Sequence, residues 1–192
     1  MIRCGWCGSD PLYVRYHDEV WGVPVREDQL LFENLVLDGA QAGLSWFTIL
    51  KKRENYRRAF HFFDIERVAA YTEEDEVRLL GDVGIVRNRQ KIRSAINNAR
   101  RVLDVQAELG SFSDYLWSFT GGRSIQNSWK TLFEVPTTST ESDAMSKDMK
   151  RRGFSFAGST ICYAFMQAVG MVNDHLTDCF RYKEVRKPGI GE

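Results

Sequence analysis

The sequence predicts an all-α fold. Apolar residues recur at spacings of three and four along most of the chain, strand-like alternation is nearly absent, and capping residues stand at the ends of the periodic runs. Leu30, Leu31, Asn34, Leu35 and Asp38 share one helix face, which runs into Gly39. A second helix starts near Ser45 and reaches about Phe60. Asp64 is placed to cap a short helix through Ala70, and Thr72 with Asp75 has the capping-box pattern for a helix ending near Gly81. From Asn88 to Leu109 a long helix carries Ile92, Ile96, Ala99, Val102 and Leu103 on one face, and Gly110 stops it. The polar loop Pro136–Thr140 leads into a helix from about Glu141 to Arg152, ended by Gly153. Ser159 to Val169 is nearly all apolar and reads as a buried helix. Residues 183–192 combine a proline, two glycines and mixed charges, which predicts a flexible tail after a single unit spanning 1–182. No repeat or Gly/Ser-rich linker divides that unit.

Composition narrows the function. The 192 residues include 26 basic and 26 acidic side chains, and 43% are hydrophobic. A chain of this length buries roughly 70% of its unfolded surface, and its apolar content excludes a disordered protein. No apolar run approaches the roughly 20 residues needed to span a bilayer, so no membrane partner is expected. The start, Met1-Ile2-Arg3-Cys4-Gly5-Trp6, lacks the apolar stretch of a secretory signal, so the chain reads as cytoplasmic. In that compartment the four cysteines are expected to be free, buried or metal-bound rather than paired. Zero net charge argues against a uniformly basic nucleic-acid binder, though not against local basic patches.

Four constellations stand out. Cys4 with His17, and His175 with Cys179, supply the ligand types of a closed Cys₂His₂ zinc site, and one helical turn would align the second pair. The alternative is two buried thiols and two surface histidines, because a Cys-x₁₂-His half is not a standard knuckle. Cys162 lies in an apolar run and belongs to the core. Next, residues 83–101 hold Arg87, Arg89, Lys91, Arg93, Arg100 and Arg101 without an acid, which is either a phosphate-binding face or a solvated helix face. Lys147, Lys150, Arg151 and Arg152 form a second basic group. They precede Gly153-Phe154-Ser155-Phe156-Ala157-Gly158, a turn whose amides, with the next helix N-terminus, can hold a phosphate oxygen. Last, Trp6, Tyr13, Tyr16, Trp21 and Trp46, with Asp38 and Gln41, offer flat rings and polar edges for a nucleobase; each ring taken singly also suits a core.

Together these residues resemble the type I 3-methyladenine DNA glycosylases of the helix-hairpin-helix superfamily. The resemblance runs from Arg3-Cys4-Gly5-Trp6 through Asp10-Pro11-Leu12-Tyr13, Tyr16-His17-Asp18, Trp21-Gly22-Val23-Pro24 and Gln41-Ala42-Gly43-Leu44-Ser45-Trp46. It continues through residues 50–57, Trp117-Ser118-Phe119, Ile161-Cys162-Tyr163 and Asn173-Asp174-His175 to Cys179. It implies a glycosylase fold whose terminal segments are joined by one structural zinc on Cys4, His17, His175 and Cys179. It implies that the turn carrying Phe156 and Gly158, with Lys150 and Arg151, grips the backbone of double-stranded DNA. It further implies that Gln41, Gly43 and Leu44 approach the gap left by a flipped nucleotide. Trp6, Tyr13, Trp21 and Trp46 then form the base pocket, with Tyr16 and Asp38 meeting the base edge.

Two positions depart from the wider patterns. The family usually has Glu where this chain has Asp38, one methylene shorter. The wider superfamily carries a catalytic Asp shortly after the second hairpin helix, and Asn173 stands there, an absence that type I enzymes share. The activity implied is hydrolytic removal of 3-methyladenine by a monomer, without strand cleavage. The alternative is a paralogue that binds damaged bases but excises weakly.

Overall fold

The computed structural model describes residues 1–186. Among the described residues ten α-helices lie in chain order: α1 (Pro11–Glu19), α2 (Asp28–Gln41), α3 (Trp46–Ala59), α4 (Ile65–Ala69), α5 (Glu73–Gly81), α6 (Arg89–Leu109), α7 (Phe112–Ser118), α8 (Thr140–Arg151), α9 (Ser159–Ala168) and α10 (Phe180–Glu184). Two-residue strands, β1 (Ile125–Gln126) and β2 (Val172–Asn173), pair in parallel and are the only sheet among the described residues. The all-α expectation is met.

The centre of the molecule is α2. Ten consecutive residues, Leu31 to Ala40, are buried, so this helix is enclosed on all sides rather than amphipathic. Around it pack α3, α6, α7 and α9, and Leu31, Phe32, Ile49, Ile92, Trp117 and Phe165 meet in the main core. Local chemistry sets the ends of the surrounding helices. Asn88 accepts a hydrogen bond from the Lys91 amide to start α6, and Gly110, at φ +86°, ends it. Asp28, at the start of α2, accepts from the Phe112 and Ser113 amides and so fixes the first turn of α7.

A smaller cluster joins the two ends of the chain. Cys4, Tyr16 and Trp21 pack there with Leu50, Ala168, Leu176 and Cys179, and Trp46 touches both this cluster and the main core. Gly170 lets the segments meet: at φ +72°, a Cβ there would lie 2.5 Å from the Pro24 nitrogen.

Three expectations are refined. Between His175 and Cys179 the chain makes a turn, with the Cys179 amide donating to Leu176, rather than a helical turn. Asn173 occupies β2 at that point, so the backbone is already committed to a ladder. Of the tail expected over 183–192, Lys183 and Glu184 belong to α10 and Val185 is buried; residues 187–192 lie outside the described residues. Among the described residues no helix is long and apolar enough to cross a membrane.

Candidate functional site

A cavity of about 460 Å³ opens between α1, α2, α3 and α9. Its aromatic wall is continuous. Trp6 meets Tyr13 at 5.1 Å and Trp21 edge-on at 5.0 Å between ring centroids, and Tyr16 lies 5.4 Å from Trp46. Trp46 is presented by the first turn of α3, where Ser45 caps the helix. Asp10 caps α1, with Pro11 at its first position, and that helix carries Tyr13 and Tyr16 on the cavity side.

Asp38 reaches the cavity from the buried helix. α2 has three buried polar side chains, and two of them are satisfied: Glu33 pairs with Arg53 and Arg57, and Asn34 donates to the Leu30 carbonyl. Asp38 accepts no hydrogen bond from the described residues, and its Oδ2 is wholly buried. Burial pushes its carboxyl up to about 8, against the opposing pull of the Arg53 guanidinium. The buried indole Nε1 of Trp46 also lacks a partner. An unpaired acceptor and an unpaired donor beside one aromatic cavity are a poor arrangement for an empty core and a good one for a polar ligand. Burial, followed by the nearby Asp38 charge, pushes the Tyr16 phenol well above its ordinary value, so Tyr16 stays a hydroxyl.

The opposite wall holds a carboxylate of another kind. Asp174 accepts from Asn127 Nδ2 at 2.7 Å, Trp129 Nε1 at 2.8 Å, Tyr163 OH at 2.7 Å and Gln167 Nε2 at 2.8 Å. The strap after β1 completes that side, placing Leu132, Val135 and Pro136 on the cavity. Sequence reasoning gave this strap and Asp174 no role at the cavity, because loop residues far from the aromatic motifs carry no periodic signal.

Beside Asp38, the α8–α9 turn docks on α2. A Cβ on Gly39 would sit 3.4 Å from the Phe156 Cβ, and Phe156 itself takes φ +54°. Asn97 and Asn98 hold the turn: Asn98 bonds both the amide and the carbonyl of Ser155, and Asn97 donates to the Gly153 carbonyl. Two asparagines in mid-helix are a signal that could have been read, since such residues are poor helix formers in that position. Gly158, the N-cap of α9, faces open space, and a Cβ there would have no atom within 4 Å.

The basic groups divide. Arg89 and Arg93 pair with Glu76, Arg101 with Asp104, and Arg100 donates to the Ala69 and Tyr71 carbonyls. The acid-free stretch 83–101 is therefore only partly balanced, by Glu76 on α5 and by Asp104 further along α6, and the contact with Glu76 is one that its own sequence could not supply. Arg151 pairs with Asp148, and Arg152 with Asp148 and Glu108. No ion pair engages Lys147 or Lys150 among the described residues.

Cys4, His17, His175 and Cys179 form a buried group whose ligand atoms lie within 4.8 Å of one another. The sulfur–nitrogen separations are 3.6 Å for Cys4–His175, 3.5 Å for Cys179–His17 and 3.7 Å for Cys179–His175. A tetrahedral site with Zn–S of about 2.3 Å and Zn–N of about 2.05 Å requires about 3.6 Å. The remaining ring nitrogens are engaged outside the cluster: His17 Nδ1 with Asp18 at 2.8 Å and His175 Nε2 with the Trp21 carbonyl at 3.1 Å. Arg3 in turn holds Asp18 and lowers its carboxyl below the usual value. Hydrogen bonds from Cys4, then from the two histidines, draw the Cys179 thiol far below its ordinary value. These residues fit a metal ion, and the fit removes the alternative of surface histidines.

Aromatic walls with a carboxyl on the floor suit a flat, electron-poor ring. The chain belongs to the methyladenine glycosylase family, whose model matches residues 6–182. It is 53% identical over 182 residues to DNA-3-methyladenine glycosylase 1 of Escherichia coli K12, covering 95% of this chain and 97% of that one. A crystal structure of a 3-methyladenine DNA glycosylase I superposes with a TM-score of 0.91 at 52% identity, covering 93% and 98% of the two chains. A variant of such an enzyme in complex with 3-methyladenine gives 0.90 at 38% identity, covering 94% and 97%.

Proposed function

We propose that this protein is a monofunctional DNA glycosylase that extrudes 3-methyladenine from alkylated duplex DNA and hydrolyses its glycosidic bond. The observation that carries this reading is the unpartnered Asp38 carboxyl at the base of an aromatic cavity. Methylation at N3 gives adenine a positive charge and weakens the bond to the sugar. Aromatic faces attract that cation, and a carboxylate accepts hydrogen bonds from its amino edge. As the C1′–N9 bond breaks, its electron pair neutralises the purine, water attacks C1′, and the water proton leaves to solvent. The cavity lining contains no lysine among the described residues, in keeping with hydrolysis by water and an intact strand.

In this reading Trp46 stacks on the base, Trp6, Tyr13 and Trp21 complete the pocket, and Tyr16 and Asp38 meet its edge. The α8–α9 turn acts as the helix-hairpin-helix element, with the open Gly158 admitting a phosphate and Lys150 supplying charge. Arg151 contributes less, because Asp148 already holds it. The unit 1–182 works as a monomer, and one structural zinc occupies the Cys₂His₂ group. Incubation with methylated DNA should release a product with the mass of 3-methyladenine while the strand stays uncut. Tight binding of the free base without release would favour the damage-binding alternative, which rests on the shorter Asp38.

A further inference from the structure

Lys91 is the one member of the basic stretch turned inward to the Gln41–Leu44 turn. Its ammonium donates to the Ala40 carbonyl at 2.7 Å and to the Ala42 carbonyl at 2.6 Å. The turn itself is a type II β-turn. The Leu44 amide donates to Gln41 at 2.6 Å, Ala42 has φ −45° and ψ 117°, and Gly43 has φ +77°. A Cβ on Gly43 would meet nothing within 4 Å, so the glycine is required by its backbone angle and not by crowding.

The central peptide of such a turn, Ala42 C=O with Gly43 N–H, is the unit that can rotate between type I and type II. In a trans peptide the carbonyl and the amide point in opposite directions. With the Ala42 oxygen held against Lys91 on α6, the Gly43 N–H is turned away from α6 toward solvent. It has no acceptor among the described residues, and Gly43 and Leu44 are both exposed. The same ammonium also meets the last carbonyls of α2, where a cation is favoured by the helix dipole. Burial lowers its pKa below the ordinary value, so the position is not one a lysine would occupy without these two acceptors.

The geometry points to Lys91 as a positioning residue for base extrusion: it fixes the central peptide of the Gln41–Leu44 turn so that the Gly43 amide and the Leu44 side chain face the gap in the duplex. The acceptor for that amide is an oxygen or nitrogen of the DNA at the gap. This rests on the reading of the turn as the element that enters the gap.

The test separates cavity from turn. Affinity for free 3-methyladenine reads the cavity alone, whereas single-turnover release from methylated duplex DNA also requires extrusion. Lys91→Met should keep free-base affinity within about twofold and lower duplex release by about tenfold or more. Leu44→Ala, run beside it, tests the turn reading independently. If Leu44→Ala is impaired and Lys91→Met is not, the clamp is overturned and the turn reading survives. Parental release by both overturns the turn reading and the clamp with it. Equal losses of free-base affinity and release in Lys91→Met would make the lysine a support of the cavity, and the inference fails. Should that variant not fold, the parent protein suffices: the Gly43 amide resonance should shift and its hydrogen exchange slow on binding a duplex with an abasic site, and an unchanged amide overturns the proposal.

Discussion

The Cys/His cluster and the floor of the cavity are both buried, polar and close together, yet they are built on opposite terms. In the cluster every ring nitrogen outside the ligand set has a partner, and Asp18 is itself held by Arg3. On the floor, Asp38 Oδ2 and Trp46 Nε1 have none. Trp21 and Trp6 touch both regions, packing on the histidines while lining the cavity. A saturated site holds shape and an unsaturated one waits for a ligand, so the first supplies rigidity that the second uses.

The largest effect should come from breaking the saturated side. Structural zinc contributes about 10–16 kcal/mol of apparent binding energy in small peptides, so Cys179→Ser should lose the metal and a large part of the thermal stability, with activity. Metal analysis and thermal unfolding read this, and a metal-free protein of unchanged stability would remove the cluster from the comparison.

Breaking the unsaturated side should do the reverse. Charge-assisted hydrogen bonds are worth roughly 1.5–3 kcal/mol, so Asp38→Asn should lower base release by about one to two decades. Its stability should rise. The folded carboxyl sits at about 8, above the ordinary Asp value of about 3.9, so ionisation increasingly penalises the folded state as pH climbs between those values. The gain in Tm from Asp38→Asn should therefore be larger at pH 8 than at pH 5. In the parent, kcat/KM should rise with pH toward a plateau above about 8, and the variant should flatten that limb.

Outside both regions, Gly158→Val should weaken duplex binding by crowding the phosphate while leaving metal content untouched, and affinity should fall with salt. A Gly158→Val protein binding as tightly as the parent would detach the α8–α9 turn from DNA. The smallest effect belongs to Cys162→Ser. It places a hydroxyl in an apolar helix face and should cost about 1–3 kcal/mol of stability with zinc and free-base affinity unchanged.

Legibility in the sequence follows the range of the interactions. α3, α4, α5, α6, α8 and α9 stand close to their expected bounds because caps such as Asp64, Thr72 and Asn88 are local chemistry. α1 has no place among the expected helices, although Asp10-Pro11 is a cap and first-turn pair. α7 escapes a sequence reading because part of its cap comes from Asp28, far back in the chain. The aromatic set and the four cluster residues are visible as types, and the structure brings each set together. What the sequence hides is partnership: that Arg89 and Arg93 share Glu76, and that Asp174 is saturated while Asp38 is not.

Cys4 and His175 stand 171 residues apart and meet at 3.6 Å. Such a contact forms late, because long loops close slowly and His175 is synthesised long after Cys4. The buried residues of the main core lie between Leu31 and Val172 and do not need Cys4 or Cys179 in place. Trp21 cannot take its final place until His175 arrives. The wall that Trp21 builds against His175 is thus finished only after the chain has been made past Cys179, later than the helices that carry Asp38 and Trp46.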